Sequence, residues 1–235
     1  MIVTALIPAA GRGLRLKSAI PKPLVQIGAQ PLLIHTLKAL FQNQHIQSVI
    51  IAAPEDSLKD FKRVIKKNRI AGRRVTLIPG GATRRESVEN CLRGVPAESD
   101  TILIHDAARP FITQELIAEL LKEVKNNPAV ICGVPVKATI KQVTSRKSEV
   151  KGNVIVSKTL PREGLWEIQT PQVFNKGVLL RAYRRSSDKT VTDDSSLVES
   201  LGVKVKIVRG SYFNIKITTP EDLVFAKAIL KHRYS

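Results

Sequence analysis

The chain has 235 residues, 43% of them hydrophobic, which supplies the core of one large α/β domain. No run approaches the roughly eighteen consecutive apolar residues of a membrane span, and a strand-like run starting at residue 2 predicts no leader peptide. A net charge of +18 admits a nucleic-acid binder as a class, but the densest basic run, residues 59–74, holds one aromatic, Phe61, at an apolar helical position, which excludes an interleaved stacking platform.

Residues 3–7 (VTALI) form an apolar run that predicts a buried strand. It leads into Pro8-Ala9-Ala10-Gly11-Arg12-Gly13, a turn without bulky side chains where backbone N–H groups approach a ligand closely. Arg12, Arg15, Lys17 and Lys22 add positive charge around it. Small residues, free amides and fixed cations are what a triphosphate needs from its host. The turn is not a dinucleotide fingerprint, because Leu16 stands where the third glycine belongs and Pro31-Leu32-Leu33 where the ribose-binding acid belongs. It is not a Walker loop either, because no G-K-[ST] tripeptide occurs. A Gly-Arg-Gly turn also joins a strand to a helix with no ligand, and the loop alone leaves that reading open.

Further along, helical patterns at 32–42, 57–67, 85–92 and 114–125 alternate with strand-like runs at 48–53, 75–78, 101–104 and 130–134. This alternation predicts a mainly parallel sheet with helices on both faces. Ligands of such sheets bind beyond the carboxyl ends of the strands, so the opening loop and the His105-Asp106 loop are expected on one edge. Gly80-Gly81 lets backbone approach a flat ligand, and the Ser87 hydroxyl suits a base edge. Thr83 and Glu86 match a helix capping box, which is the purely structural reading of the same segment. Asp106 suits a hard divalent cation such as magnesium, which takes one or two carboxylates and fills its other positions with water and phosphate oxygens. It equally suits a helix cap. Arg109 reads as a substrate clamp or as a surface ion pair. Cys91 and Cys132 lie alone in apolar stretches, as buried free thiols of a reducing compartment do. His35, His45, His105 and His232 lack the spacing of a metal site.

From residue 137 the texture changes. Alternating strands at 138–143 and 153–158 around the polar turn 145–148 predict a β-hairpin with too little core to stand alone, which folds back or reaches another subunit. Residues 166–172 (WEIQTPQ) yield no element, and Trp166 reads as packing. Helices at 177–184 and 194–201, strands at 203–208 and 214–217, and a helix begun by Thr219-Pro220-Glu221-Asp222 complete the chain. Lys216, near the end of an otherwise apolar strand, either snorkels to solvent or aims at an anion.

Taken in order, PAAGRGLR, Pro21-Lys22, GGATRRESV, HDAARPF, Thr139-Ile140-Lys141, the segment from Arg162 to Gln172, TDDSS from Thr192, and NIKITTPEDL resemble the 2-C-methyl-D-erythritol 4-phosphate cytidylyltransferase family across nearly the whole chain. The resemblance implies a Rossmann-like nucleotidyltransferase fold, α/β, with a mainly parallel sheet flanked by helices, one domain over 1–235 and a projecting β-hairpin arm at about 137–160. It implies a cytoplasmic homodimer with active sites shared through the arms, dependent on Mg2+, with no nucleic-acid or membrane partner. The substrates implied are CTP and methylerythritol phosphate, giving the CDP-alcohol and pyrophosphate.

By the same resemblance, Arg15 and Lys22 stabilise the five-coordinate phosphorus and the leaving pyrophosphate. Pro8, Ala9, Ala10, Gly11, Arg12 and Gly13 cradle the triphosphate, with the amides from Ala9 to Gly13 as donors. Gly80, Gly81 and Ser87 bind the base, Asp106 serves the metal, and Arg109 and Lys216 meet substrate. Thr139 and Arg162 reach the partner subunit's substrate. The chain departs from the family pattern at Pro23, Ala82, Ala138, Ser195 and Phe213. Ala82 stands where several relatives carry an acid, and Phe213 where an acid is frequent. Ribitol-5-phosphate cytidylyltransferase shares most motifs and is the nearest alternative, with Arg162-Glu163-Gly164-Leu165-Trp166 favouring the methylerythritol enzyme. A sugar-1-phosphate nucleotidyltransferase and a basic RNA-binding protein are more distant readings.

Overall fold

The computed structural model describes residues 1–11, 20–70, 74–144, 154–186 and 193–233. The first half runs β1 (Val3–Pro8), β2 (Gln26–Ile27), β3 (Gln30–Pro31), α1 (Leu32–Phe41), β4 (Ile46–Ala53), α2 (Leu58–Lys67), β5 (Arg74–Pro79) and α3 (Arg84–Arg93). Then come β6 (Thr101–Ile104), α4 (Gln114–Glu123), β7 (Ala129–Pro135), β8 (Ile140–Val143), β9 (Val156–Leu160), β10 (Trp166–Asn175), α5 (Lys176–Arg185), α6 (Ser195–Glu199), β11 (Lys206–Arg209) and α7 (Pro220–Arg233).

Seven strands form one sheet in the order β11-β7-β10-β6-β1-β4-β5. β1 lies between β4 and β6, parallel to both, which is why its sequence is an unbroken apolar run. Side chains alternate across the strand. Val3, Ala5 and Ile7 join the core under α1, α2 and α4, while Leu6 joins the core under α3, α5 and α6. Helices therefore cover both faces of a mainly parallel sheet, as the alternation predicts. Cys91 and Cys132 are buried and unpaired, and burial pushes both thiols up to about 12.

Three local expectations need correction. Residues 166–175 are a strand, β10, antiparallel to both β6 and β7 and the only strand of the sheet opposed to its neighbours. Its middle carries buried Gln169, Thr170 and Gln172, so it shows no apolar run, and Pro171 sits in a register shift between Ile168 and Gln172, where a missing N–H is tolerated. Residues 214–217 are not a strand. They run beside the loop after β6, held by Arg109 Nη1 donating to the Asn214 carbonyl (2.7 Å) and by the Ile217 N–H donating to the Ala108 carbonyl (2.9 Å). The expected strand at 203–208 begins later, as β11.

The hairpin at 138–158 is present as β8 paired antiparallel with β9, a two-stranded sheet separate from the main one. Its turn at 145–148, together with Asn153, lies outside the described residues. No helix among the described residues is long and apolar enough to cross a membrane.

Candidate active site

β1 and β6 end side by side, with Leu6 in register with Ile104, so the loops that follow leave the sheet at one edge. β4 and β5 end next to them, with Ala53 in register with Pro79, and this brings Gly80-Gly81 to the same edge. Together with Lys216 these loops enclose a cavity of about 440 Å³. Pro8, Ala9, Ala10, Gly11, Lys22, Gly81, Ser87, Asp106 and Lys216, all singled out in the sequence, line it. Gly80 lies behind them, and a Cβ there would collide with the Ala10 Cβ, so the two glycine loops touch only because that side chain is missing. Arg12, Gly13 and Arg15 lie outside the described residues. Thr139 and Arg162 are exposed at the base of the hairpin and do not line the cavity. Arg162 Nη1 donates to the Lys137 carbonyl at 2.8 Å.

The backbone hydrogen bonds narrow the phosphate cradle. The Ala9 N–H donates to the Ala52 carbonyl (2.7 Å), extending the β1–β4 ladder, so Ala9 offers no amide to a ligand and a cradle would begin at Ala10. Thr83 and Glu86 form the capping box at the start of α3, each side chain accepting from the other's N–H. Ser87, one turn in, accepts from the Gly81 N–H (3.1 Å) and donates to the Thr83 carbonyl (3.0 Å). Its hydroxyl thus has its single proton committed and one lone pair left.

Asp106 collects cations. Lys216 Nζ lies 2.7 Å from Oδ2, Arg84 Nε 3.3 Å from Oδ1, and Arg109 Nε 4.0 Å from Oδ2. Burial alone would raise this carboxyl, but Arg84 and Lys216 reverse the effect and hold it well below the ordinary aspartate range, so it is ionised at all working pH. Arg109 is buried behind it rather than on the surface. Burial lowers the guanidinium below its ordinary value while Asp106 opposes that, and Nε has no hydrogen-bond partner among the described residues. Arg84 turns from Asp106 to Asp194, with Nη1 2.8 Å from Oδ2. Burial by itself would lower Arg84, but Asp194 and then Asp106 keep it above its ordinary value.

A second chain of bonds fixes the loop that carries Asp106. His105 Nε2 lies 2.9 Å from the Arg109 carbonyl, which only accepts, so the ring proton sits on Nε2 and Nδ1 is an acceptor. The Thr170 hydroxyl therefore donates to Nδ1 (3.0 Å) and accepts from the Asp106 N–H (3.0 Å). Burial lowers His105 to about 4, so the ring is neutral at pH 7. The unfolded chain binds this proton below about pH 6.5 and the folded chain does not, so stability is full above that pH and is lost as pH falls towards 4. Over that interval His105 is expected to cost about 3 kcal/mol, read as a fall in melting temperature that His105→Gln flattens.

The sequence reading did not assign Arg84, Asp194, His105 or Thr170 a role. All four lie in motifs it singled out, but Arg84 and Asp194 are 110 residues apart and no spacing rule pairs them.

The family model described as "2-C-methyl-D-erythritol 4-phosphate cytidylyltransferase" (IspD) matches residues 3–232. A protein of that name from Bacillus cytotoxicus is 42% identical over 229 residues, with 97% of each chain covered. A "Bifunctional enzyme IspD/IspF" from Desulfotalea psychrophila is 38% identical over 228 residues, covering 97% of this chain, and the chain spans 56% of that longer protein's length. Among solved structures, 4-diphosphocytidyl-2C-methyl-D-erythritol synthase from Anaerococcus prevotii superposes with a TM-score of 0.81 at 32% identity, covering 98% of each chain.

Proposed function

The chain belongs to the 2-C-methyl-D-erythritol 4-phosphate cytidylyltransferase family, and from this premise we propose how its cavity transfers the cytidylyl group of CTP to methylerythritol phosphate, releasing pyrophosphate in isoprenoid precursor synthesis. The observation that carries the proposal is the cavity itself, with two glycine loops on its walls and a carboxylate ringed by cations on its floor. The triphosphate lies along Ala10 and Gly11, against Lys22. The attacking phosphate monoester is dianionic at neutral pH, its second pKa being about 6, and needs no general base. The protein supplies alignment and charge compensation instead. Lys22 faces the α-phosphate and the leaving pyrophosphate, assisted by Arg15. Lys216, on the solvent side of Asp106, exchanges that partner for the substrate phosphate. Arg109, buried behind Asp106, holds the carboxylate in place.

Asp106 is the one acidic side chain lining the cavity, and no cluster of three or more potential metal ligands occurs among the described residues. That donor set fits a magnesium ion carried in by the triphosphate oxygens, with Asp106 as its protein ligand, and does not fit a protein-caged metal. When bound, the ion would neutralise the triphosphate and polarise the α-phosphoryl group. Base choice falls to Ser87 and the Gly80-Gly81 turn. With its proton committed to Thr83, Ser87 only accepts, which suits the cytosine amine and opposes the uracil oxygen at the same place.

The hairpin of β8 and β9 completes the reading as a homodimer arm. Its exposed Val154, Ile155 and Val156 have no cover within the described residues, and a second copy supplies it. The unpaired thiols suit a cytoplasmic enzyme.

A pyrophosphate-release panel crossing CTP, UTP and ATP with methylerythritol phosphate and ribitol phosphate tests the proposal. CTP with methylerythritol phosphate is expected to be the productive pair, with UTP reduced by about 100-fold for the mispaired oxygen. Release with ribitol phosphate alone, or with ATP alone, would overturn it.

A further inference from the structure

β5 is the end strand of the sheet. It pairs with β4 alone among the described residues, so one row of its backbone groups is left without a sheet partner. Its sequence does little to blunt that edge. Arg74 and Pro79 stand at its two ends, and Val75-Thr76-Leu77-Ile78 between them carry no charge and favour extended backbone. Beside the edge lies a groove of about 710 Å³ between α2 and β5. Its floor is aliphatic, with Leu58, Ile65, Ile70, Val75 and Leu77 each half-buried. Its rim is cationic. Lys59, Lys62 and Lys66 follow one another along one face of α2, all exposed, with no hydrogen bond or ion pair among the described residues. No acid lines the groove, and the single acid of α2, Asp60, is paired with Arg63 (3.2 Å).

We propose that this edge is a docking surface for an extended acidic segment of another protein, added to the sheet as a strand beyond β5. The three features together select that occupant. A nucleic acid would meet the lysines but no exposed ring to stack on, since Phe61, the one aromatic of the basic run, is fully buried, and the aliphatic floor would go unused. A second copy's β5 would bring its own lysines against these, so charge opposes edge-to-edge pairing of two copies. An added strand forms a ladder with β5 and points every second side chain to the α2 side. There its apolar residues cover the floor and its acidic residues reach Lys59, Lys62 and Lys66. None of the residues lining the groove lines the catalytic cavity, so docking is separate from cytidylyl transfer. It gives a task to the densest part of the +18 charge.

The test is fluorescence anisotropy with a labelled octapeptide in which threonine alternates with glutamate and valine taken in turn, so that one face of the extended chain carries both. Saturable binding to the full chain is expected. The double variant Lys62→Glu/Lys66→Glu should bind about tenfold more weakly or worse, with melting temperature and pyrophosphate release unchanged. The same peptide N-methylated at every residue cannot donate to β5 and should also lose about tenfold, a comparison that needs no variant of the protein. Serine in place of the valines should cost about as much, for want of apolar contact with the floor. Absence of saturable binding would overturn the proposal, and so would equal binding by the lysine variant or of the N-methylated peptide. An oligouridylate that binds more tightly than the peptide, and loses that affinity in the same variant, would overturn it in favour of RNA.

Discussion

Asp106→Asn is expected to lose pyrophosphate release by about 10³-fold and to destabilise the fold by about 3 kcal/mol at the same time. The two losses have different causes. On the proposed mechanism, activity falls because a neutral amide would neither draw a divalent cation nor hold Lys216 and Arg84 as the Asp106 carboxylate does. Stability falls because Arg109 is left buried with one hydrogen bond, to the Asn214 carbonyl, and without the carboxylate that opposes its desolvation most. Arg84 keeps Asp194 and Lys216 reaches solvent, so neither shares that cost. Adding Arg109→Met should therefore recover much of the urea midpoint and none of the turnover. Acid titration separates Asp106 from His105. A carboxyl depressed by folding contributes stability that is present above its unfolded pKa near 3.9 and lost as pH falls through the folded value. The Asp106 contribution thus disappears below about pH 4, whereas that of His105 is spent by then.

The site was legible where its chemistry lies on consecutive residues and opaque where it depends on partners far apart in the chain. The turn after β1, the Gly80-Gly81 turn and the loop at Asp106 each follow a strand, and parallel strands deliver all three to one edge. The capping box could be read because its two members are three residues apart. β10 could not. An antiparallel strand in the middle of a parallel sheet should be apolar on both faces, yet its Gln169, Thr170 and Gln172 are buried because Ser211, His105 and Asp193 satisfy them. Buried polar residues with distant partners look, in sequence, like a loop. The segment carrying Lys216 misled in the opposite direction. Ile215 and Ile217 suggest a strand, but they pack with Ile27, Phe111 and α7, and this clamps Lys216 over Asp106 without any ladder. The Ala9 amide shows a finer limit: composition identifies a cradle, and only the ladder reveals which of its donors is already spent.

Mixing two inactive variants should restore activity. Lys22 lines the cavity, while Arg162 stands exposed at the foot of the hairpin, its guanidinium tied to the Lys137 carbonyl. Among the described residues of one chain, nothing brings Arg162 to the cavity. The proposed homodimer explains where it would act. A two-stranded sheet is marginal alone, and β8–β9 pairs with no other strand among the described residues while carrying Val154, Ile155 and Val156 exposed near its end. In the proposed homodimer the hairpin would dock on a second copy, bury that apolar run and carry Arg162 and Thr139 towards the partner's substrate phosphate. Lys22→Ala and Arg162→Ala are each expected to lose activity by about 10²-fold or more, for want of one cation at the transferring phosphate. Unfolded together in equal amounts and refolded, half the dimers contain one subunit of each kind. In such a dimer one site combines both lesions, and the other combines intact Lys22 with intact Arg162. Pyrophosphate release should then recover to about a quarter of the wild-type rate, the share of intact sites in a two-fold dimer. A mixture that forms hetero-dimers, as shown by differential tags, yet stays as inactive as either parent would mean that each chain builds its site alone. Arg162 would then owe its effect to the foot of its own hairpin, where it already holds Lys137.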